Sequence, residues 1–169
     1  SLDLSGKYLG PASAAVVAAG VSVNGALKIL HIGCNKIGPK GAAAIAEALR
    51  GNEVLTDLNL SRNNIGGGTG WIKASEVEGE SKDVGAKVIY QGREMVVSKG
   101  VDSDGDLKLR DTAGVHAIAK ALEVNGVLTN LNLYRNHIGV EGAKAIGKAL
   151  AVNGVLTTLV LEDNEIGPK

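Results

Sequence analysis

The hydrophobic positions of this chain recur with a period of 28 residues. Shifting the sequence by 28 superimposes segment 27–38 on 55–66 and segment 128–139 on 156–167, with residues of the same type at the matched slots. Self-similarity at a fixed period is typical of proteins built from stacked structural repeats. In two of these segments the matched residues are Leu27, Leu30, Ile32, Asn35, Ile37 and Gly38, and Leu128, Leu131, Leu133, Asn136, Ile138 and Gly139.

Each unit joins two different periodicities. The pattern Leu27-x-x-Leu30-x-Ile32 alternates with a period of two and predicts a short strand with one buried face. Residues 41–49 and 142–150 place alanine, isoleucine and leucine at helical spacing, which predicts helices with one apolar side. Asn52, Asn125 and Asn153 follow the helical segments, where asparagine favours a left-handed helix end or a turn. The order of strand, turn, helix and turn predicts an α/β fold with parallel strands on one side and helices on the other.

An asparagine follows each predicted strand at the same slot. Because its side chain both donates and accepts, it can satisfy backbone groups of the neighbouring turn, and stacked units would form an asparagine ladder. In a partial first unit, which has Leu2 and Leu4 at the strand slots, Lys7 takes this position and cannot accept a hydrogen bond. The predicted ladder residues are Asn35, Asn63, Asn136 and Asn164.

The repeat is seen most fully in residues 128–150, and there it resembles the ribonuclease-inhibitor-like class of leucine-rich repeats. The resemblance covers about residues 1–66 and 113–169. It implies a horseshoe-shaped solenoid with the parallel strands on a concave inner surface and the helices outside. It also implies a non-enzymatic role in holding a partner protein, although the repeat specifies architecture better than it specifies the partner.

A long segment interrupts the third unit. Gly38 precedes the matching helix glycine Gly41 by three residues, whereas Gly66 precedes Gly114 by 48, so 45 additional residues separate the strand from its helix. Residues 87–90, 94–99 and 106–110 read as three strands, and 71–77 as a possible fourth. We therefore expect three parts, with repeats in 1–66, an inserted antiparallel β subdomain in 67–112, and repeats in 113–169. The insert weakly resembles an SH3-like or Tudor-like barrel.

Composition and charge narrow the classes of partner. Lysine plus arginine and aspartate plus glutamate each total 18 of 169 residues, so there is no net field to attract nucleic acid or an anionic membrane surface. A single cysteine, Cys34, excludes an intramolecular disulfide, and no apolar run is long enough to span a membrane. With no visible targeting signal, these features predict an intracellular, cytoplasmic protein.

Candidate catalytic and metal-binding motifs fail on spacing. In the acidic run that begins at Asp102, Leu107 and Ala113 stand where a calcium loop requires a glycine and a glutamate. The glycine-rich segment 66–70 lacks the Gly-Lys ending of a phosphate loop. The three histidines have no partner at a motif spacing, and Cys34 reads as a partly buried structural thiol. We therefore predict no catalytic residues, no metal site and no cofactor.

Strand alternation identifies a candidate binding surface. Side chains that lie between the inward leucines point to the concave side, and Tyr134 is the best single anchor there because aromatic residues contribute strongly to interfaces. The predicted partner-binding residues are His31, Asp57, Asn59, Asn130, Asn132, Tyr134 and Glu162.

The sequence thus predicts a protein–protein interaction module or scaffold that uses the concave face, the insert, or both. Two alternatives remain open at this stage. The first is a regulator of a small GTPase or another enzyme, and the second is a structural subunit of a large assembly. In each case we expect further repeats or a partner to cover the two ends of the stack, since an open end exposes a strand edge and apolar side chains.

Overall fold

In this computed structural model, which describes residues 1–167, strands and helices alternate along most of the chain. In chain order the elements are β1 (Leu2–Asp3), α1 (Gly10–Val23), β2 (Ile29–His31), α2 (Gly38–Gly51), β3 (Asp57–Asn59), β4 (Ile72–Lys73), a 3-10 helix (Ala74–Glu76), β5 (Lys87–Tyr90), β6 (Arg93–Lys99), β7 (Asp106–Arg110), α3 (Ala113–Val124), β8 (Asn130–Asn132), α4 (Gly139–Leu150) and β9 (Thr158–Val160).

The five short repeat strands form one parallel sheet in the order β1-β2-β3-β8-β9. Leucines at the same slot of successive strands pair across the sheet, and most partners are 28 residues apart, as in Leu30 with Leu58 and Leu131 with Leu159. Leu58 pairs directly with Leu131 across the long interruption in the sequence. The α/β organisation and the parallel sheet predicted from the period are confirmed, because the repeated leucines lie in one column.

The main core lies between this sheet and helices α1–α4, and aliphatic side chains fill it. Leu30, Leu58 and Ile45 are fully buried, and α1, α2, α3 and α4 pack in sequence order. The helices begin three residues before the predicted segments 41–49 and 142–150, at Gly38 and Gly139. The prediction missed this first turn because apolar periodicity begins only where side chains face the core.

A glycine in the helix of each complete unit permits close packing against the preceding helix. A Cβ atom at Gly41 would lie 3.0 Å from the Cβ of Ala14, and one at Gly142 would lie 2.9 Å from a methyl carbon of Val115. At Gly114 a Cβ would lie 2.7 Å from the Cα of Pro39. These glycines therefore set the spacing between successive units.

Asn52, Asn125 and Asn153 lie just after helices α2, α3 and α4. Their side chains join neighbouring units at the carboxyl ends of these helices. Asn52 and Asn125 have extended backbones, so the left-handed alternative expected there is wrong. The extended backbone lets the side-chain oxygen accept from amides two and three residues ahead, as Asn125 does from Val127 and Leu128. The Asn125 amide group also donates to the carbonyl of Leu49 at 2.7 Å, which satisfies the end of the preceding helix.

Residues 67–112, which we call the insert segment, contain a second sheet of four strands in the order β4-β7-β6-β5. All its strand pairs are antiparallel. The turn between β5 and β6 contains Gln91 and Gly92, both with positive φ, as a two-residue hairpin of the favoured type requires. Strand β6 begins one residue earlier than the predicted 94–99, and the predicted fourth strand 71–77 is a two-residue strand followed by a 3-10 turn.

The sheet of the insert segment has its own small core, separate from that of the repeats. Val88, Met95, Val97, Leu107 and Leu109 are buried in it. Strand β4 pairs with β7, while Glu78, a few residues later, pairs with Ile89 of β5. One stretch of chain therefore pairs with both outer strands of the β5-β6-β7 meander.

The two ends of the insert segment lie side by side. The Asp111 amide donates to the carbonyl of Gly67 at 2.6 Å, and the Leu109 amide donates to the hydroxyl of Thr69 at 2.9 Å. The chain thus leaves the repeats and returns to them at nearly one point. Within residues 1–167 no helix has both the length and the apolar character needed to cross a bilayer.

Candidate functional site

The sheet face opposite the helices, which we call the open face, carries the side chains that the sequence placed on the concave surface. His31, Asp57, Asn59, Asn130, Asn132 and Tyr134 are all half-buried, and Glu162 is exposed. Register brings His31, Asn59 and Asn132 into one row, and Asp57 and Asn130 into the row beside it. The structure therefore gathers these predicted residues on one side of adjacent strands.

Asp57 links three neighbouring strands through its carboxylate. The imidazole Nε2 of His31 lies 3.6 Å from one carboxylate oxygen, and the Asn130 amide group donates to the other at 3.3 Å. Both contacts are long, and both ionisable side chains are at least one-third exposed. This part of the open face is therefore a polar surface whose internal contacts are weak.

Three other polar residues of the open face each use a side-chain oxygen to accept a hydrogen bond from a nearby backbone amide. Asn59 and Asn132 accept hydrogen bonds from the amides two residues ahead, those of Ser61 and Tyr134, at 3.0 and 2.9 Å. Asp3 accepts in the same way from Ser5, and this backbone hydrogen bond lowers the pKa of Asp3. These backbone hydrogen bonds therefore hold the three side chains in place on the open face.

Tyr134 lies between two arginines. The guanidinium carbons of Arg62 and Arg135 are 5.4 and 5.1 Å from the centre of its ring, within the range of cation–π attraction. Arg135 also donates to Asp163 at 2.8 Å, and this hydrogen bond raises the pKa of Arg135 and lowers the pKa of Asp163. The open face therefore carries one aromatic ring with a cation on each of two neighbouring turns, and Asp163 holds the Arg135 cation in place.

The turns that follow the repeat strands form an edge beside the open face, which we call the rim. The predicted ladder residues Asn35, Asn63, Asn136 and Asn164 are hydrogen-bonded in succession and form an asparagine column along these turns. The residues on either side of each column asparagine have positive φ, so the chain bends tightly around the asparagine and the flanking side chains point outward. Rim residues are Cys34, Lys36, Arg62, Asn64, Arg135, His137, Asp163 and Glu165. The exposed position of Cys34 contradicts the expectation of a partly buried thiol, because left-handed backbone turns this side chain away from the core.

The insert segment contacts the rim through charged groups. The Arg110 guanidinium, at the end of β7, donates to Glu165, and the Nδ1 atom of His137 lies 2.9 Å from the other oxygen of that carboxylate. Because a carboxylate only accepts, Nδ1 carries the hydrogen. Partial burial raises the pKa of Glu165, but the His137 hydrogen bond and the Arg110 charge outweigh it and leave the pKa lowered.

Between the insert segment and the rim lies a cleft of about 650 Å³. Asn64, His137 and Glu165 line it from the rim, and Lys99, Lys108 and Arg110 line it from strands β6 and β7. The sequence reasoning missed this cleft. The 28-residue period places His137 and Glu165 at one slot of successive units, but no repeat pattern relates Arg110 or the lysines to the rim.

The described residues contain no group of three or more histidine, cysteine, aspartate or glutamate side chains arranged to hold a metal ion. Asp102, at the start of the run that suggested a calcium loop, uses its carboxylate to accept from the amides of Asp104 and Asp106. Its oxygen thus stabilises the turn between β6 and β7.

The family model of the leucine-rich repeat matches the chain at residues 26–46, 51–68 and 124–147. The chain contains leucine-rich repeats. The three matches fall on the repeat strands and helices and leave out most of the insert segment. No curated protein matches the chain.

Among solved structures, the chain is similar to one described as Leiomodin-1 Actin-Binding Site 2. The TM-score is 0.61 with 18% sequence identity, and the match covers 94% of this chain and 68% of the other. At this identity the likeness concerns the fold. The leucine-rich repeats therefore present two surfaces of interest, the open face with Tyr134 and the cleft beside the insert segment.

Proposed function

We propose that the chain is a non-enzymatic protein–protein interaction module or scaffold that contacts its partner through the open face and the insert segment. The observation that carries this proposal is the arrangement around Tyr134, where a half-buried ring lies between Arg62 and Arg135 beside a broad polar sheet face. A wide surface with one aromatic anchor suits a macromolecular partner better than a small substrate.

In this proposal the repeats form a horseshoe segment of the ribonuclease-inhibitor-like class, and the open face is its concave side. The constant period of 28 residues and the leucine columns across β1, β2, β3, β8 and β9 support that architecture. Its parts are repeats in 1–66 and 113–169 and an inserted subdomain in 67–112. The stretch of chain that pairs with both outer strands of the β5-β6-β7 meander supports an SH3-like barrel for the insert segment.

The proposed partner is another protein inside the cell. A zero formal charge gives the whole chain no general attraction for nucleic acid or anionic lipid. The similar solved structure is described as an actin-binding site, which supports a protein partner for a repeat surface of this shape.

Affinity capture from a cell lysate tests the role of Tyr134. We expect Tyr134→Ala to weaken retention of captured proteins roughly tenfold or more, because it removes the aromatic anchor and leaves two arginines without their ring. Quantitative mass spectrometry of proteins retained on the immobilised full chain measures the effect.

The matched control is Tyr8→Ala. Tyr8 is 79% exposed in the turn of the first unit, and Lys36 lies 5.7 Å from the centre of its ring, so its surroundings resemble those of Tyr134 at the far end of the sheet. Retention should be unchanged in this control. Equal retention by the wild type and the Tyr134 variant, with both folded by circular dichroism, would overturn the assignment of the anchor.

A further inference from the structure

We propose that the cleft between the insert segment and the rim binds an acidic segment of the protein partner, an inference that rests on the proposed function and names the chemistry of the partner. The cleft has about 650 Å³ of space. This volume is within the range of roughly 300 to 1,000 Å³ that is usual for ligand sites. It is large enough for a few residues of peptide to lie between the two walls.

Positive charge accumulates in this cleft although the whole chain is formally neutral. Lys99, Lys108 and Arg110 line it, against the single carboxylate of Glu165. Neither lysine has an acidic partner within residues 1–167, whereas Glu165 is engaged by Arg110 and His137. The charge left over is positive, and it lies where water is partly displaced by two protein walls, which strengthens attraction for an anion.

The two lysines lie close enough for their positive charges to repel each other. Lys99 pairs with Lys108 across strands β6 and β7, so two like charges occupy neighbouring positions on one sheet face. Such cross-strand pairs destabilise a sheet. Their ammonium groups lie 5.8 and 4.7 Å from the centre of the Trp71 ring, which partly offsets the repulsion. An anion bound between them would remove the repulsion altogether.

Two donors, one from each wall of the cleft, already hold a carboxylate. Arg110 and His137 converge on Glu165, which shows that their geometry fits the side chain of an acidic residue. The Nε atom of Arg110 is buried and has no hydrogen-bond partner within the described chain, so a peptide would be bound by the lysines and not by this atom. Asn64 adds an exposed side chain to the rim wall.

These features favour a run of carboxylates over a single phosphate. Lys99 and Lys108 lie on the sheet of the insert segment and Asn64 lies on the rim, so the free donors are spread over two walls instead of surrounding one point. An extended peptide with acidic side chains can reach both sets, whereas one compact anion cannot. Trp71, which is 48% exposed next to the lysines, offers the peptide an apolar contact.

Fluorescence anisotropy of a labelled hexaglutamate peptide, titrated with the full chain, tests this inference. We expect saturable binding that weakens as salt rises from about 0.05 to 0.3 M. Trp71 is the only tryptophan in the chain, and its emission should change over the same concentration range because the peptide binds at the lysines beside it.

A double variant, Lys99→Gln with Lys108→Gln, should bind the peptide about tenfold or more weakly. The matched control is Lys40→Gln with Lys148→Gln, which removes the same charge from exposed positions on α2 and α4 and should change the affinity less than about twofold. Absence of saturable binding, or an equal loss in both double variants, would overturn the proposal. Pyrophosphate that binds more tightly than hexaglutamate and displaces it would likewise overturn the assignment to an acidic peptide.

The outcome can be separated from that of the proposed function. If hexaglutamate does not bind while capture of proteins from lysate still depends on Tyr134, this inference fails alone. If capture is independent of Tyr134 and the peptide still binds at Lys99 and Lys108, the acidic-peptide site in the cleft is supported and the proposed role of the open face is wrong.

Discussion

At the scale of single residues, one asparagine per unit satisfies most of the hydrogen-bonding groups of the turn. The side chain of Asn63 is fully buried, and its oxygen accepts from the amide of Asn35 in the preceding unit at 2.9 Å. Its amide group donates to Ile32 of that unit at 2.9 Å and to Leu60 of its own unit at 3.0 Å. Asn35, Asn136 and Asn164 make the equivalent bonds, so the asparagine column joins consecutive units.

We expect Asn63→Ala to lower the free energy of unfolding by about 1 to 3 kcal/mol, because the buried amides of Asn35 and Ile37 lose their side-chain acceptor. Chemical denaturation followed by circular dichroism measures the change. The control is Asn130→Ala, whose side chain makes a single long hydrogen bond to Asp57 on the open face and should change stability by less than about 0.5 kcal/mol. An equal effect of the two substitutions would show that the asparagine column contributes no more to the free energy of unfolding than a side chain on the open face.

At the scale of elements, the end of strand β7 is joined to the last repeat by a charged contact. The Arg110 side chain packs so closely on Gly139, the first residue of α4, that any Cβ there would collide with the guanidinium. A cation at the start of a helix is disfavoured by the helix dipole, and the Glu165 carboxylate compensates for it. Glu165 therefore positions the insert segment against the repeats.

The lowered pKa of Glu165 predicts a pH dependence of stability. Its ordinary value is 4.5, and because the pKa is lower in the folded chain, the ionised carboxylate stabilises the fold above about pH 4.5. As the pH falls through the lowered folded value, that stabilisation is lost. We expect wild type to melt above Glu165→Gln near neutral pH and the difference to shrink towards about pH 3.

Thermal unfolding at several pH values measures this difference. The neighbouring Glu162→Gln variant is the control, because Glu162 is exposed and forms no ion pair within residues 1–167. Its melting temperature should stay close to that of the wild type throughout. A difference between wild type and Glu165→Gln that is as large in acid as at neutral pH would contradict the assigned role.

At the scale of the whole molecule, the repeats were predictable from the sequence because successive units carry the same residue types at the same positions. The shift of 28 that aligned Leu30 with Leu58 also gave their pairing in the sheet. It placed Leu58 beside Leu131 once the interruption was removed. Strand bounds within the insert segment, such as Lys87–Tyr90, followed from local alternation and from turn residues.

The contacts between the insert segment and the rim were not predictable in this way. Arg110 occurs once, outside the repeat pattern, and its contact with Glu165 depends on how two sheets are oriented in space. The exposure of Cys34 and the extended backbone of Asn52 depend on φ and ψ at single turn residues, which neither period specifies. Sequence reasoning therefore located the open face and missed the cleft.

Removal of residues 68–112 tests whether the repeats fold without the insert segment. This deletion takes out 45 residues and leaves Gly114 three residues after Gly66, the same spacing as from Gly38 to Gly41. We expect a folded parallel sheet with its helices, and a melting temperature lower by no more than about 10 °C, since the ion pair that is lost, Arg110 with Glu165, is partly exposed on the Glu165 side.

Circular dichroism and thermal unfolding give the result. The control deletion, residues 67–112, removes one residue more and leaves α3 a position short of its slot, so it should be clearly less stable than the first. Two deletions of equal stability would show that the 28-residue spacing is not what aligns β3 with α3.

The ends of the insert segment are adjacent and joined by the hydrogen bond from Asp111 to Gly67, so this loop is a site where one inserted module could be replaced by another. Any compact module whose first and last residues meet at a similar distance could be grafted there without altering the register of Leu58 and Leu131. Recognition specificity could then be exchanged at this one point while the framework behind it keeps its geometry.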